Sequence, residues 1–326
     1  MSRVLVIGGT LFLGRALVEL LLDRTDEVVI MHRGSRHPFG DRVGEIRCDR
    51  NDIDAVRAVL EGERFDVIYD NVYDWERGTS AAQVLAAATA AAPGLRRYVF
   101  TSSVAAYPEG GEYDEDAALV PADHPNVYGA QKAATERALF ELQRRSNVPV
   151  STLRPTFIYG PNNPFDRESF FWDRIRDDRP IIIPDDGART MQWVHVDDVA
   201  RAAIRAAESD RAIGRAYNLG NYPPISQVDF VELLARVAGK PARLVHVPRE
   251  AIERAGGNVF APPLYFGTYL DIPPISVRVD RVRSELGLNP IPLEEGLRQT
   301  YGWYAAQQRS TPDYSWEDRL IRSTRS

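Results

Sequence analysis

Tyr128 and Lys132 stand in the stretch Tyr128-Gly129-Ala130-Gln131-Lys132, a spacing that puts both side chains on one face of a helix, a turn apart. The pair has a defined use. A phenol with an ordinary pKa of about 10 is a poor base at neutral pH. A neighbouring ammonium favours the phenolate, so the group can take a proton from a hydroxyl or return one to a carbonyl oxygen. Such pairs also occur by chance on exposed helices. The surroundings here favour chemistry, because Thr101-Ser102-Ser103-Val104-Ala105-Ala106-Tyr107 follows an apolar run upstream.

A second group of residues could hold an anion. Val4-Leu5-Val6-Ile7-Gly8-Gly9-Thr10-Leu11-Phe12-Leu13-Gly14 reads as a strand, a tight glycine turn and a helix start. A helix amino terminus offers unpaired N–H groups and a positive dipole end to a pyrophosphate. Gly8 makes the turn, and Gly14 lets helix and strand pack closely. At the end of the next strand the chain reads His32-Arg33-Gly34-Ser35-Arg36, with no carboxylate to receive a ribose diol. Arg33 or Arg36 can pair with a 2′-phosphate, which favours NADP over NAD. The plainer reading is two solvated loop arginines.

These residues need a frame. Strand-like runs lie at Val4–Ile7, Val28–Met31, Glu45–Cys48, Phe65–Tyr69, Arg97–Thr101 and Pro149–Leu153, with helical patterns between them at Gly14–Asp23, Asp52–Glu61, Thr79–Ala92 and Val127–Arg145. Nearly continuous apolar strands alternating with helices predict an α/β fold, a doubly wound parallel (Rossmann-like) sheet, with a smaller C-terminal substrate-binding lobe. Residues 1–158 and 191–220 are assigned to the nucleotide-binding domain, and 159–190 with 221–326 to the lobe and tail. The stretch 160–189 shows few periodic elements. A strand and helix follow at Trp193–Glu208, Tyr217–Leu219 is one more strand, and Ser226 with Asp229 starts a helix ending near Gly239. Segment 256–276, rich in Gly and Pro, carries Phe260, Tyr265, Phe266 and Tyr269. It is either an irregular piece anchored by its aromatics or a lid over a ligand.

Bulk properties narrow the classes. The 326 residues carry 40 Lys+Arg against 46 Asp+Glu, a net charge of −6. That sign gives no overall attraction to nucleic acid or anionic lipid, and no apolar stretch is long enough to span a membrane. The lone cysteine, Cys48, excludes an internal disulfide and fits a reducing compartment, so a cytoplasmic protein is expected. No metal is expected.

The motifs together resemble the extended short-chain dehydrogenase/reductases. Besides the glycine loop and the Tyr-x-x-x-Lys pair, Arg154-Pro155-Thr156-Phe157-Ile158-Tyr159-Gly160-Pro161, Trp193-Val194-His195-Val196-Asp197-Asp198-Val199-Ala200, Tyr217-Asn218-Leu219-Gly220 and Glu285-Leu286-Gly287-Leu288 resemble that family's later signatures in order. The resemblance implies hydride transfer with Ser103, Tyr128 and Lys132 catalytic. It implies cofactor contacts from Gly8, Thr10, Leu11, Phe12, Leu13, Gly14, Arg33, Arg36, Asp49, Arg50, Asn71, Thr101, Tyr128, Lys132 and Pro155. Substrate contacts are implied for Ser103, Tyr128, Phe157, Arg189 and Gln192. His195, Asp197 and Asp198 are read as structural, with Asp197 or Asp198 capping the next helix. A homodimer packed through Thr79–Ala92 and Val127–Arg145 is also implied.

The chain departs from the family in informative places. Leu11 replaces the middle glycine of the loop, and a GGT-x-F-L-G loop resembles an atypical branch that includes chloroplast stem-loop RNA-binding proteins. Val104 and Ala105 replace the acidic pair of the 4,6-dehydratases. Phe157 and Met191 stand where the epimerase-like members carry diphosphate contacts, though Arg189 is near. The expected function is therefore an NAD(P)-dependent oxidoreductase or epimerase acting on a hydroxyl or carbonyl of a sugar, sugar derivative, nucleotide sugar or other small carbonyl compound. The alternative is a catalytically silent nucleotide- or RNA-binding protein on the same fold.

Overall fold

The computed structural model describes residues 2–258 and 272–325. The first half contains β1 (Arg3–Ile7), α1 (Phe12–Asp23), β2 (Glu27–His32), β3 (Gly44–Arg47), α2 (Ile53–Leu60), β4 (Val67–Asp70), α3 (Ala81–Ala90), β5 (Arg97–Thr101), β6 (Glu112–Tyr113), α4 (Val127–Ser146) and β7 (Val150–Pro155). Then come β8 (Phe157–Tyr159), α5 (Glu168–Arg176), β9 (Pro180–Pro184), β10 (Thr190–Met191), β11 (Trp193–His195), α6 (Val196–Glu208) and β12 (Arg215–Leu219). β13 (Ile225–Ser226), α7 (Gln227–Ala238), β14 (Arg243–Val247), α8 (Arg249–Arg254) and β15 (Ser276–Val277) precede the helices Asp280–Leu286, Leu293–Ala305 and Ser315–Arg325.

Seven strands form one sheet in the order β12-β7-β5-β4-β1-β2-β3, with every neighbouring pair parallel. Strand alternation sends β1 side chains to opposite faces. Val4 and Val6 pack with Leu17, Leu21 and Val199 of α1 and α6 on one side. Leu5 and Ile7 pack with Val56, Val84 and Leu139 of α2, α3 and α4 on the other. The sheet is thus covered on both faces, as its nearly unbroken apolar strands require. Strand order reverses between β1 and β4, and in such sheets ligands bind at the carboxyl ends of the strands beside that reversal.

A second apolar cluster lies outside this sheet, built from Phe171 and Trp172 of α5, Phe230 and Leu234 of α7, Trp193 and Leu297. Two expectations change here. The stretch 160–189, expected to show few periodic elements, holds α5 and β9. Its helical period is hidden in sequence because α5 buries charges along with rings: Asp173 accepts from Tyr304 Oη (2.9 Å) and Arg309 Nε (3.1 Å), and Arg174 pairs with Glu317. Helix α6 is capped not by an aspartate but by His195, whose Nδ1 accepts from Asp197 N. Asp198 instead accepts from Ile291 N at 2.9 Å. The tail packs on its own chain: Leu320 and Ile321 join Ile182, Val247 and Ile252. Phe260, Tyr265, Phe266 and Tyr269 lie outside the described residues.

Candidate active site

Helix α4 is positioned from both ends. Asn126 Oδ1 accepts from Gly129 N (3.1 Å), capping its first turn. A Cβ at Gly129 would stand 2.0 Å from Ala105 O, so only glycine lets α4 lie against the short 3₁₀ turn Val104–Ala106. Ser103 caps that turn by accepting from Ala105 N at 3.1 Å. The glycine after Tyr128 therefore presses the Tyr128 helix against the turn that Ser103 starts. Further along, fully buried Glu136 receives Arg154 Nη2 (2.8 Å), Arg154 Nε (3.0 Å) and Thr152 Oγ1 (2.9 Å), and Ser102 donates to it as well. This buried network fixes α4 to the ends of β5 and β7.

Lys132 lies under Tyr128. Its Nζ donates to Thr101 O at 2.7 Å, sits 4.6 Å from the centre of the Phe100 ring and lies 5.8 Å from that of Tyr128. Burial pushes the Lys132 ammonium down to about 8, with Asp70 opposing the shift. The structure therefore brings Tyr128, Lys132 and Thr101 into one contact group, with the Ser103 turn against the same helix.

Sequence reasoning missed an aromatic group in front of Tyr128. Trp75 stacks on the Tyr128 ring (centroids 4.8 Å apart, planes at 27°), and Tyr73 meets it edge-on at 4.7 Å. Phe165, from the loop between β8 and α5, approaches Trp75 at 6.0 Å. Tyr73 Oη donates to Gln131 Oε1 at 2.8 Å. No periodicity marks Tyr73 and Trp75. The available signal was topological, because the residues just after β4 must lie at the carboxyl edge next to the strand reversal.

The glycine loop fits a dinucleotide. A Cβ on Gly14 would fall 1.8 Å from Gly8 O, and one on Gly8, at φ +85°, would fall 2.4 Å from Val72 Cγ2. No side chain caps the amino end of α1, which leaves its N–H groups for an anion. Leu11 does not close this cradle by its backbone, which is extended (φ −128°, ψ 149°); its side chain is 69 % exposed. The positive φ falls on Phe12 (+39°). Beyond the loop, Asn71 Oδ1 accepts from Thr101 Oγ1 at 2.6 Å, while its Nδ2 is buried with no partner among the described residues. Such an orphan donor at the sheet's carboxyl edge suits a polar ligand.

At the far end of the cradle Arg33 donates to Asp74 (3.0 Å), and Arg77 bridges Asp74 and Asp49, the latter at 2.8 Å. The Arg77 hydrogen bonds hold the Asp74 carboxyl well below the usual carboxylate range. Arg36 is exposed on the same β2–β3 connection as Arg33. Arg50 is a correction: it is 4 % exposed, pairs with Asp70 and donates to Gln83 O at 2.8 Å, so its side chain does not face the cradle. Among the described residues His32, His37 and Glu45 could share a metal ion, yet the Glu45 carboxylate already accepts from Arg47 Nε at 2.8 Å.

The expected substrate residues divide. Phe157 is half-buried on β8, with the Arg167 guanidinium 5.4 Å from its ring centre. Arg189 is half-buried just before β10. Gln192 is a correction: Nε2 donates to Asn221 O and Val277 O (3.0 Å each) and Oε1 accepts from Val277 N (2.7 Å), so its amide braces the backbone and is unavailable to substrate. Pro155 closes β7 in the buried interior.

Comparison with known proteins places this geometry. The profile of the NAD dependent epimerase/dehydratase family matches residues 4–220. A 3-diazoavenalumate denitrifying reductase of Streptomyces sp is 31 % identical, covering 88 % of this chain and 96 % of that protein. The chloroplast stem-loop binding protein of 41 kDa b from Arabidopsis thaliana is 26 % identical over 98 % of this chain and 84 % of its own. Among solved structures, UDP-glucose 4-epimerase of Thermotoga maritima, determined with UDP-glucose, superposes with a TM-score of 0.76 at 20 % identity, covering 93 % of this chain and 98 % of that one. The chain belongs to the NAD-dependent epimerase/dehydratase family. It is an NAD(P)-dependent enzyme of the extended short-chain dehydrogenase type. No helix among the described residues is long and apolar enough to cross a membrane.

Proposed function

We propose that the protein is an NADP-dependent oxidoreductase or epimerase whose reaction passes through a hydroxyl or carbonyl carbon held at Tyr128. The observation that carries this reading is the stack of Tyr128 over buried Lys132, beside the Asn71–Thr101 pair and the Gly8–Gly14 cradle. Bound there, the nicotinamide supplies or accepts the hydride. Tyr128 moves the proton at the substrate oxygen, Lys132 holds the phenolate form and the cofactor ribose, and Ser103 hydrogen-bonds the same oxygen through its hydroxyl. Arg33 and Arg36 favour the 2′-phosphate of NADP. The site serves a nucleotide sugar or a smaller carbonyl compound. A cytosolic homodimer joined through α3 and α4 completes the reading, since the small residues of α3 permit close approach.

The replacement Tyr128→Phe tests it. Turnover is expected to fall by about 10²–10⁴ while NADPH binding is retained. Unchanged turnover would remove Tyr128 from the chemistry, and no nicotinamide-linked turnover in the wild type would favour the catalytically silent nucleotide- or RNA-binding reading.

A further inference from the structure

The front of the site carries more exposed aromatic surface than proton transfer needs. Trp75 is 63 % exposed and Phe165 41 %, and large apolar rings left open next to a reacting group mark a binding surface. Their exposure is not slack chain. Trp75 rides on a turn braced by Asp74: its Oδ1 accepts from Glu76 N and Arg77 N (3.0 Å each), its N donates to Thr79 Oγ1 (3.0 Å), and its O accepts from Gly78 N (2.8 Å). Phe165 is equally held, with its N donating to Asn163 Oδ1 (3.0 Å) and its O accepting from Arg167 N (2.8 Å). Two separate segments with braced backbones thus present their rings to one place.

We propose that Trp75 and Phe165 form a recognition wall for a flat aromatic carbonyl compound, whose ring stacks there while its carbonyl reaches Tyr128. This rests on the oxidoreductase reading above and names its substrate class. A sugar reacting at the same point carries hydroxyls on the flanking carbons. Those hydroxyls would face mainly ring surface: besides Tyr128 the wall's polar groups are the Trp75 indole N–H, the Tyr73 hydroxyl, which donates to Gln131, and the Arg167 guanidinium, which lies over the Phe165 ring at 5.1 Å. An aryl ring has no such groups and gains from stacking. In the reductive direction the carbonyl carbon receives a hydride from a reduced nicotinamide dinucleotide and its oxygen receives the Tyr128 proton. One alcohol and one oxidised nicotinamide result, and the phenolate regains its proton from water.

The test uses the full-length protein with NADPH, trans-cinnamaldehyde and UDP-glucose as probes, and the variants Trp75→Ala, Trp75→Phe and Tyr128→Phe. Trp75→Ala is expected to raise KM for cinnamaldehyde about tenfold with kcat nearly constant, Trp75→Phe to recover most of it, and NADPH affinity to stay level. Calorimetry of cinnamyl alcohol binding to the NADP-loaded protein should weaken in parallel. An unchanged KM and unchanged alcohol affinity in Trp75→Ala, absence of alcohol binding to the wild type, or binding of UDP-glucose in preference to the aryl probes would overturn the aromatic assignment. Failure of the underlying reading is separate: it shows as Tyr128→Phe retaining full turnover of whichever probe reacts.

Discussion

Helix α4 has two sides that differ in kind. Its rear side is a closed polar network in which Glu136 and Arg154, 0 % and 4 % exposed, take up each other and the hydroxyls of Ser102 and Thr152. Its front side is Tyr128 with an open set of rings, Tyr73, Trp75 and Phe165. Within that network the Glu136 carboxylate and the Arg154 guanidinium are each partnered, which holds the helix against β7. The front leaves apolar surface to be covered by something else. Placement of the proton-transfer group is thus separated from recognition of what reacts with it, and the first can stay constant while the second changes.

The largest effects should come from breaking the rear. Glu136→Ala strands a buried guanidinium, and urea unfolding should show a loss of about 3–5 kcal/mol; a loss near zero would mean that the network does not fix α4. Next comes the cradle. Gly14→Ala places a methyl against Gly8 O, so NADPH binding should disappear in calorimetry even where circular dichroism shows a folded chain. Retained affinity would show that the cofactor does not use this loop.

Smaller effects sharpen the front. Burial lowers Lys132 to about 8, so its ammonium is present below that pH and lost above it. NADPH affinity should accordingly fall as pH rises through about 8, and Lys132→Met should bind weakly with a flat profile. A flat wild-type profile would separate Lys132 from the cofactor. Folding responds with the opposite sign: between about 8 and 10.5 the unfolded chain holds the proton that the native one has released, so this residue's contribution to stability rises with pH. The smallest effect belongs to Arg33, an exposed side chain with one bond to Asp74. Arg33→Ala should cost about tenfold in NADP affinity and leave NAD unaffected; equal losses would argue against a 2′-phosphate reader.

What could be read from sequence follows the distance over which the information acts. The sheet was legible because apolar runs and helical patterns are local, and Tyr128 with Lys132 because a helix turn brings them together. Ser80 and Gln83 make a capping box for α3, so that helix begins two residues later than its apolar pattern suggests. Contacts made across the fold were not legible. Gln192 looked available beside the Trp193 motif, yet its amide braces residues 221 and 277. Arg50 looked like a cofactor contact because it adjoins Asp49, yet it turns inward to Asp70. Trp75 drew no attention because nothing nearby in sequence shows that its ring meets Tyr128.

The most direct test of the central claim, that this sheet edge is a working dinucleotide site under Tyr128, is calorimetric titration of the wild-type protein with NADPH. Saturable binding at one site per chain, kept in Tyr128→Phe, is the expected result. No heat with NADPH, NADH or either oxidised form would contradict it and would leave the Gly8–Gly14 cradle without a cofactor to hold.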